Sequence, residues 1–304
     1  MLRLGKVVLG VGLASVFFAV GAEVFMISRP FEKAPGVSPG DVGLAYEDVV
    51  IDGAGGVELR GWLLPARGAR RSVILAPAGG ENRAEIGGDT SLPLIRKLVE
   101  HGFTVLALDM RGYGLSGGRP TWGFLESNDL ESAVRFMNAR GYPNEAVAVV
   151  GFSIGGVAAL RLAGRLPELG AVVADGALPS VRWTVRAVLP CCDAAISPLV
   201  RLWARVLLGV DVDEIQPVED LARLDGRRVM LVYGSEDELA KAGAPAVMQA
   251  ANPQATVVVV PGARHIQAYR INPEAYGERL VRFLDDAMGR PLAPEGAGSS
   301  VRPR

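Results

Sequence analysis

The sequence predicts an α/β domain, a mostly parallel sheet with helices on both of its faces. Eight short runs rich in β-branched residues lie between positions 47 and 260. From the third run onward most are separated by segments whose apolar residues recur at helical spacing. Such alternation calls for crossover helices, and crossovers cover a parallel sheet on both sides. Composition agrees: 304 residues, 49% of them hydrophobic, suffice for one sizeable core.

In chain order, Arg3 and Lys6 come first, followed by an apolar run from Val7 to Ile27 that only Glu23 interrupts. A membrane-spanning helix needs about 20 apolar residues, and Glu23 falls near the far end, where a carboxylate can reach the headgroup region. Residues 1–28 therefore read as an N-terminal membrane anchor. The competing reading is a cleaved signal sequence, because the purely apolar part ends at Val20-Gly21-Ala22, small residues of the kind a signal peptidase requires. Span length favours the uncleaved anchor. The basic residues on the N-terminal side place the bulk of the chain outside the cytoplasm in either case, anchored or secreted. Residues 29–40, rich in Pro and Gly, read as a linker. The folded domain is expected over 41–290, and the Pro-, Gly- and Ser-rich tail 291–304 is expected to be disordered.

Within the domain the predicted strands are Glu47 to Asp52, Val57 to Leu64, Ser72 to Ala76, Thr104 to Asp109, Ala146 to Val150, Ala171 to Ala174, Arg228 to Tyr233 and Thr256 to Val260. No helix separates the first two, so they are expected to pair as an antiparallel hairpin at the sheet edge. The predicted helices are Leu92 to Glu100, Leu130 to Arg140, Gly155 to Leu166 and Glu274 to Met288. The stretch 179–218 breaks the alternation and reads as a small helical cap. There Ile196, Leu199, Val200, Trp203, Val206 and Leu207 follow helical spacing, an apolar face suited to packing on the domain and compatible with a lipophilic substrate wall.

Composition also excludes. With 32 Lys and Arg against 33 Asp and Glu, no global field recruits nucleic acid. The only histidines are His101 and His265 and the only cysteines Cys191 and Cys192, so no metal site with several His or Cys ligands can be assembled. The two cysteines read as small apolar residues in a partly buried segment.

One constellation carries chemistry. After the strand ending at Val150 comes Gly151-Phe152-Ser153-Ile154-Gly155-Gly156, and then a helical segment. Here G-x-S-x-G lies on a sharp strand-to-helix turn, where flanking glycines make room for the backbone and the serine hydroxyl projects outward as a nucleophile. The helix N-terminus adds its dipole and free amides, Ile154's among them, to stabilise a developing oxyanion. The general base that Ser153 needs is His265, which follows the last predicted strand; His101 ends a helix and reads as its cap. The base in turn needs an orienting carboxylate. Of the acids in Gly234-Ser235-Glu236-Asp237-Glu238, Asp237 is preferred because a shorter side chain in a tight loop is more readily fixed, with Glu236 second and Asp175 third. The order Ser, Asp, His differs from that in the chymotrypsin and subtilisin folds and is the order of α/β-hydrolases.

From about Asp41 to Met288 the chain resembles an α/β-hydrolase of the serine-aminopeptidase-like group, many of which carry an N-terminal anchor. Residues Leu106 to Gly118 are similar to that group's D-x-R-G-x-G-x-S segment, in which Asp109 and Arg111 would be structural. Residues 151–156, 234–237 and 262–265 resemble its elbow, acid and base motifs, which implies catalytic roles for Ser153, Asp237 and His265. One segment departs. Where the group has His-Gly after the third strand, this chain reads Ala76-Pro77-Ala78-Gly79-Gly80. Pro77 has no amide to donate, so the second oxyanion donor is expected at Ala78 or Gly79, beside Ile154. The resemblance implies a serine hydrolase without a cofactor, acting on a small ester or related acyl substrate, which the apolar cap tilts towards alkyl or acyl chains. Peptides and thioesters, or a binding domain that has lost the reaction, are the alternatives.

Overall fold

The computed structural model describes residues 2–289, without the side chains of residues 2–13 and of Arg227. The predicted tail 291–304 lies outside the described residues.

Eight strands form the central sheet: β1 Glu47–Asp52, β2 Glu58–Leu64, β3 Arg71–Ala76, β4 Phe103–Leu108, β5 Val147–Phe152, β6 Ala171–Asp175, β7 Val229–Gly234 and β8 Thr256–Val260. Their order is β8-β7-β6-β5-β3-β4-β2-β1. β1 and β2 make the expected antiparallel hairpin, with Val49 opposite Gly61, and β2 runs antiparallel to β4. All other neighbours are parallel. The mostly parallel, helix-covered sheet is thus as the sequence predicts.

The helices are α1 Leu2–Ile27, α2 Leu92–Glu100, α3 Glu126–Asn138, α4 Ile154–Arg165, α5 Val181–Val188, α6 Asp193–Leu208, α7 Pro217–Leu221, α8 Glu238–Lys241, α9 Ala244–Ala251, α10 Ala268–Ile271 and α11 Pro273–Met288. Alternate residues of each inner strand feed two separate cores, as the pleat requires. Ile74 and Ala76 join Leu130, Val134 and Leu160 beneath α3 and α4. Val73 and Leu75 join Leu94, Leu98, Leu280 and Leu284 beneath α2 and α11. Helix α2 crosses one face from β3 to β4, and α3 returns over the other face to β5, on the far side of β3. The chain's direction of travel therefore reverses between β3 and β5, and the crevice at the carboxyl ends of such strands is where open α/β sheets bind ligands.

Helix α3 begins four residues before its predicted start, in the polar stretch Glu126-Ser127-Asn128-Asp129. Burial with partners explains it. The Glu126 carboxylate accepts from the Thr121 amide and hydroxyl, both at 2.6 Å, and from the Gly123 amide at 3.0 Å. Asp129 accepts from Arg111 at 2.5 and 2.7 Å. Residues 29–40 lie along the domain: Phe31–Glu32 pairs in parallel with Tyr113–Gly114, and Lys33 bonds Glu85.

Three expectations change. Among the described residues no helix is long and apolar enough to cross a membrane, so the spanning anchor is left without support, and Arg3 and Lys6 lie outside the described side chains. The second half of α1 packs instead on the cap. Trp203 of α6 donates from Nε1 to the Phe17 carbonyl at 2.9 Å, its ring stands 4.9 Å from that of Phe17, and a Cβ on Gly21 would run into the indole. Cys191 and Cys192 are exposed rather than partly buried, because they sit in the turn joining α5 to α6. Of the predicted apolar face of α6, Val206 points to solvent, while Ile196, Val200 and Trp203 turn inward.

Candidate active site

Ser153 occupies the turn from β5 to α4 with φ 49° and ψ −113°, a conformation in which non-glycine residues are strained. The turn closes only because its flanks lack side chains. A Cβ on Gly151 would overlap the Gly155 carbonyl, and one on Gly155 would overlap the Ala76 carbonyl at the end of β3. The Ser153 amide donates to the Asp175 carbonyl at 2.7 Å, which ties the turn to β6.

The structure brings Ser153, His265 and Asp237 together. Ser153 Oγ lies 2.9 Å from His265 Nε2, and His265 Nδ1 lies 2.8 Å from Asp237 Oδ2. A carboxylate can only accept, so Nδ1 carries the imidazole proton and Nε2 is left to accept from the serine hydroxyl. The other oxygen of Asp237 accepts from the Leu239 amide at 2.9 Å and caps α8, so the buried carboxylate is held at both ends. Glu236 is exposed and pairs with Lys241 at 3.2 Å, away from the ring. His101 is exposed, with Nδ1 2.7 Å from the Lys97 carbonyl at the end of α2.

The loops bearing the acid and the base are stitched to each other. The amides of Ser235 and Glu236 donate to the carbonyls of Val260 and Ala263 at 2.9 and 2.8 Å, and the Gly262 amide donates to Ser235 Oγ at 2.9 Å. Ile266, next to His265, has φ 51°, and Trp122, beside the serine, has φ 59°. With Ser153 these are the three non-glycine residues at positive φ among those described, and all stand at or next to this cluster.

Opposite the serine, the loop after β3 carries the buried Ala78, and Gly79 packs so that a Cβ would meet Ile154 Cδ1 at 2.9 Å and the Tyr113 hydroxyl at 3.1 Å. Ile154 opens α4, where amides have no intrahelical acceptor. Asp109 anchors this loop, accepting from the Arg83 amide at 2.7 Å, from the Arg83 guanidinium at 2.8 Å and from the Leu115 amide at 2.8 Å. Asp109 and Arg111 therefore bond within the scaffold.

Electrostatics favour a base with a raised pKa. Burial opposes charging His265, but its hydrogen bond to Asp237 and the negative fields of Asp237, Asp175 and Glu81 outweigh that, so its pKa stands above the ordinary 6.5. Asp175, wholly buried at the end of β6, is pushed up to about 7, first by burial. The facing Tyr276 hydroxyl and His265 favour its charge, while Asp237 and Glu81 oppose it. Neither Asp175 oxygen is closely hydrogen-bonded.

A cavity of about 1260 Å³ opens over Ser153 and His265, bounded by Trp122, the cap and, unexpectedly, α1. The sequence held no signal for α1, whose apolar residues read equally well as lipid-facing. For Trp122 the neighbouring Pro120 and Gly123 signal a turn, but not its position against the serine. Among the described residues no group of three or more His, Cys, Asp or Glu side chains could hold a metal ion.

The chain is similar to several known proteins. The family described as alpha/beta hydrolase fold matches residues 71–190. YfhR of Escherichia coli K12 is 24% identical over 292 residues, covering 90% of this chain and 94% of YfhR. The alpha/beta hydrolase domain-containing protein WAV2 of Arabidopsis thaliana is 24% identical, covering 91% and 92% respectively. The esterase Pf2001 of Pyrococcus furiosus superposes with a TM-score of 0.68 at 25% identity, over 86% of this chain and 98% of the esterase. The chain has the α/β-hydrolase fold.

Proposed function

We propose that this protein is a serine hydrolase that cleaves a carboxylic ester through an acyl-enzyme. The observation that carries the reading is the continuous relay from Ser153 through His265 to Asp237, on a strained elbow beneath an open cavity. The fold and the esterase among its structural neighbours support a hydrolase in general.

In this reading His265 Nε2 takes the Ser153 proton as Oγ attacks the ester carbonyl. Asp237 holds the imidazolium that forms. The amides of Ile154 and of Ala78 or Gly79 receive the oxyanion. Nε2 returns the proton to the departing alcohol; a water, deprotonated by the same nitrogen, then releases the acid. No cofactor takes part. Retention of α1 in the mature protein belongs to the proposal, supported by the packing of Phe17 and Gly21 on Trp203.

Ser153→Ala is expected to lower hydrolysis of p-nitrophenyl acetate by about 10⁴-fold or more and to abolish labelling by a fluorophosphonate. Undiminished turnover in the purified variant would refute the assignment. N-terminal sequencing of the mature protein tests retention of α1, and a start beyond Ala22 would refute it.

A further inference from the structure

We propose that the substrate of this site carries a long acyl chain, and that α1 forms one wall of the channel that binds it. This rests on the hydrolase reading above and names its substrate class. The cavity over Ser153 has a volume of about 1260 Å³, beyond the roughly 300–1,000 Å³ that holds drug-sized ligands. Most of its charged groups cluster at the reacting end, Glu236, Asp237 and Arg264 on the acid and base loops and Glu238 and Lys241 on α8; Glu23 of α1 is the other.

Away from the reacting serine the walls are apolar except for Glu23 of α1 and Thr184 of α5. Val185 of α5, Ile196 and Val200 of α6, and Val20, Val24 and Ile27 of α1 line the cavity together. Positions 20, 24 and 27 share a single face of a helix. Glu23, the charge that the sequence placed near a headgroup layer, opens onto the same cavity. The α1 wall is fixed rather than loosely tethered: Val24 and Ser28 are buried, and Trp203 clasps the backbone at Phe17.

Such a channel suits an alkyl chain, which needs area and no polar partner. Contacts made there lie far from the scissile carbonyl, and remote binding energy of this kind can be expressed in kcat/KM. A short acyl group would react at Ser153 without using the α1 wall. Chain length therefore reports on α1, and an acetyl ester serves as the internal reference.

The test uses the full-length protein and p-nitrophenyl esters from acetate to palmitate in detergent micelles. It compares wild type with Val20→Trp, which fills the channel from the α1 side, and with Phe25→Trp, an exposed position on α1 outside the cavity. Wild type is expected to prefer the long esters. Val20→Trp is expected to lose about tenfold or more in kcat/KM on laurate and palmitate while acetate stays within about twofold; Phe25→Trp should match wild type throughout. An unchanged chain-length profile in Val20→Trp, or an equal loss on acetate and palmitate, overturns the α1 wall. Wild-type protein that hydrolyses no ester and takes no fluorophosphonate overturns instead the hydrolase reading beneath it.

Discussion

Replacing Asp175 with Asn is expected to make the protein more stable, and increasingly so as pH rises. The carboxyl is wholly buried, closely bonded by neither oxygen, and has a pKa of about 7 in the fold against 3.8 ordinarily. A carboxyl whose pKa is raised by folding prefers its neutral form there, so ionising it costs the fold. The cost is absent below about pH 4, grows as pH climbs through the interval, and is complete above about pH 7. At about 1.4 kcal/mol per pH unit, the full penalty is on the order of 4 kcal/mol, with about 3 kcal/mol of it arriving between pH 5 and pH 8. Asn is nearly isosteric and carries no charge, so it escapes the penalty. Thermal unfolding of wild type and Asp175→Asn, followed at half-unit steps from pH 5 to 8.5, should show Tm values that diverge by several degrees in favour of the variant. Parallel curves, or a wild type that gains on the variant as pH rises, would refute the reasoning.

Three further outcomes are expected, two at the site and one in the scaffold beneath it. Because the His265 pKa is raised and the base must be neutral, kcat/KM for acetate esters should fall on the acid side with a midpoint above pH 6.5, and Asp175→Asn should move that midpoint downward. Asp237→Asn removes the acceptor that fixes the Nδ1 proton and should lower kcat by about 10⁴-fold, with the acid midpoint again shifted down; stopped assays across pH would show both. Arg111→Met leaves Asp129 buried without its guanidinium, and a urea titration should register a loss of about 3–5 kcal/mol with no change in the shape of the pH profile.

Much of this was legible in the sequence, for identifiable reasons. The inner strands are β-branched runs buried on both faces, so they declare themselves without any partner. The elbow is equally local: Gly151 and Gly155 are dictated by backbone approaches within a few residues and one neighbouring strand. Asp237 and His265 lie in the loops after β7 and β8: His265 stands out as the histidine downstream of Ser153, while Asp237 is preferred to Glu236 and Asp175 only for its shorter side chain in a tight loop. What could not be read depended on distant partners. The first turn of α3 is polar, and Thr121 and Gly123 for Glu126, with Arg111 and Ala54 for Asp129, make these carboxylates acceptable inside. The apolar run of α1 carries one hydrophobic signal whether it faces lipid or a protein groove, and the partner that its second half meets in the fold, Trp203, lies about 180 residues away. The burial of Asp175 likewise arises where β6 meets α11.

The stitched loops have a consequence for how the relay can fail. Ser235, Glu236, Gly262 and Ala263 bind the acid-bearing turn to the base-bearing turn, so Asp237 and His265 form one mechanical part. The serine belongs to another part, seated on α4 and braced against β3. Disturbance spreading through the domain will tend to preserve the 2.8 Å bond within the first part and to open the 2.9 Å gap between the two. An enzyme damaged in this way would retain an oriented imidazole and lose its grip on the hydroxyl.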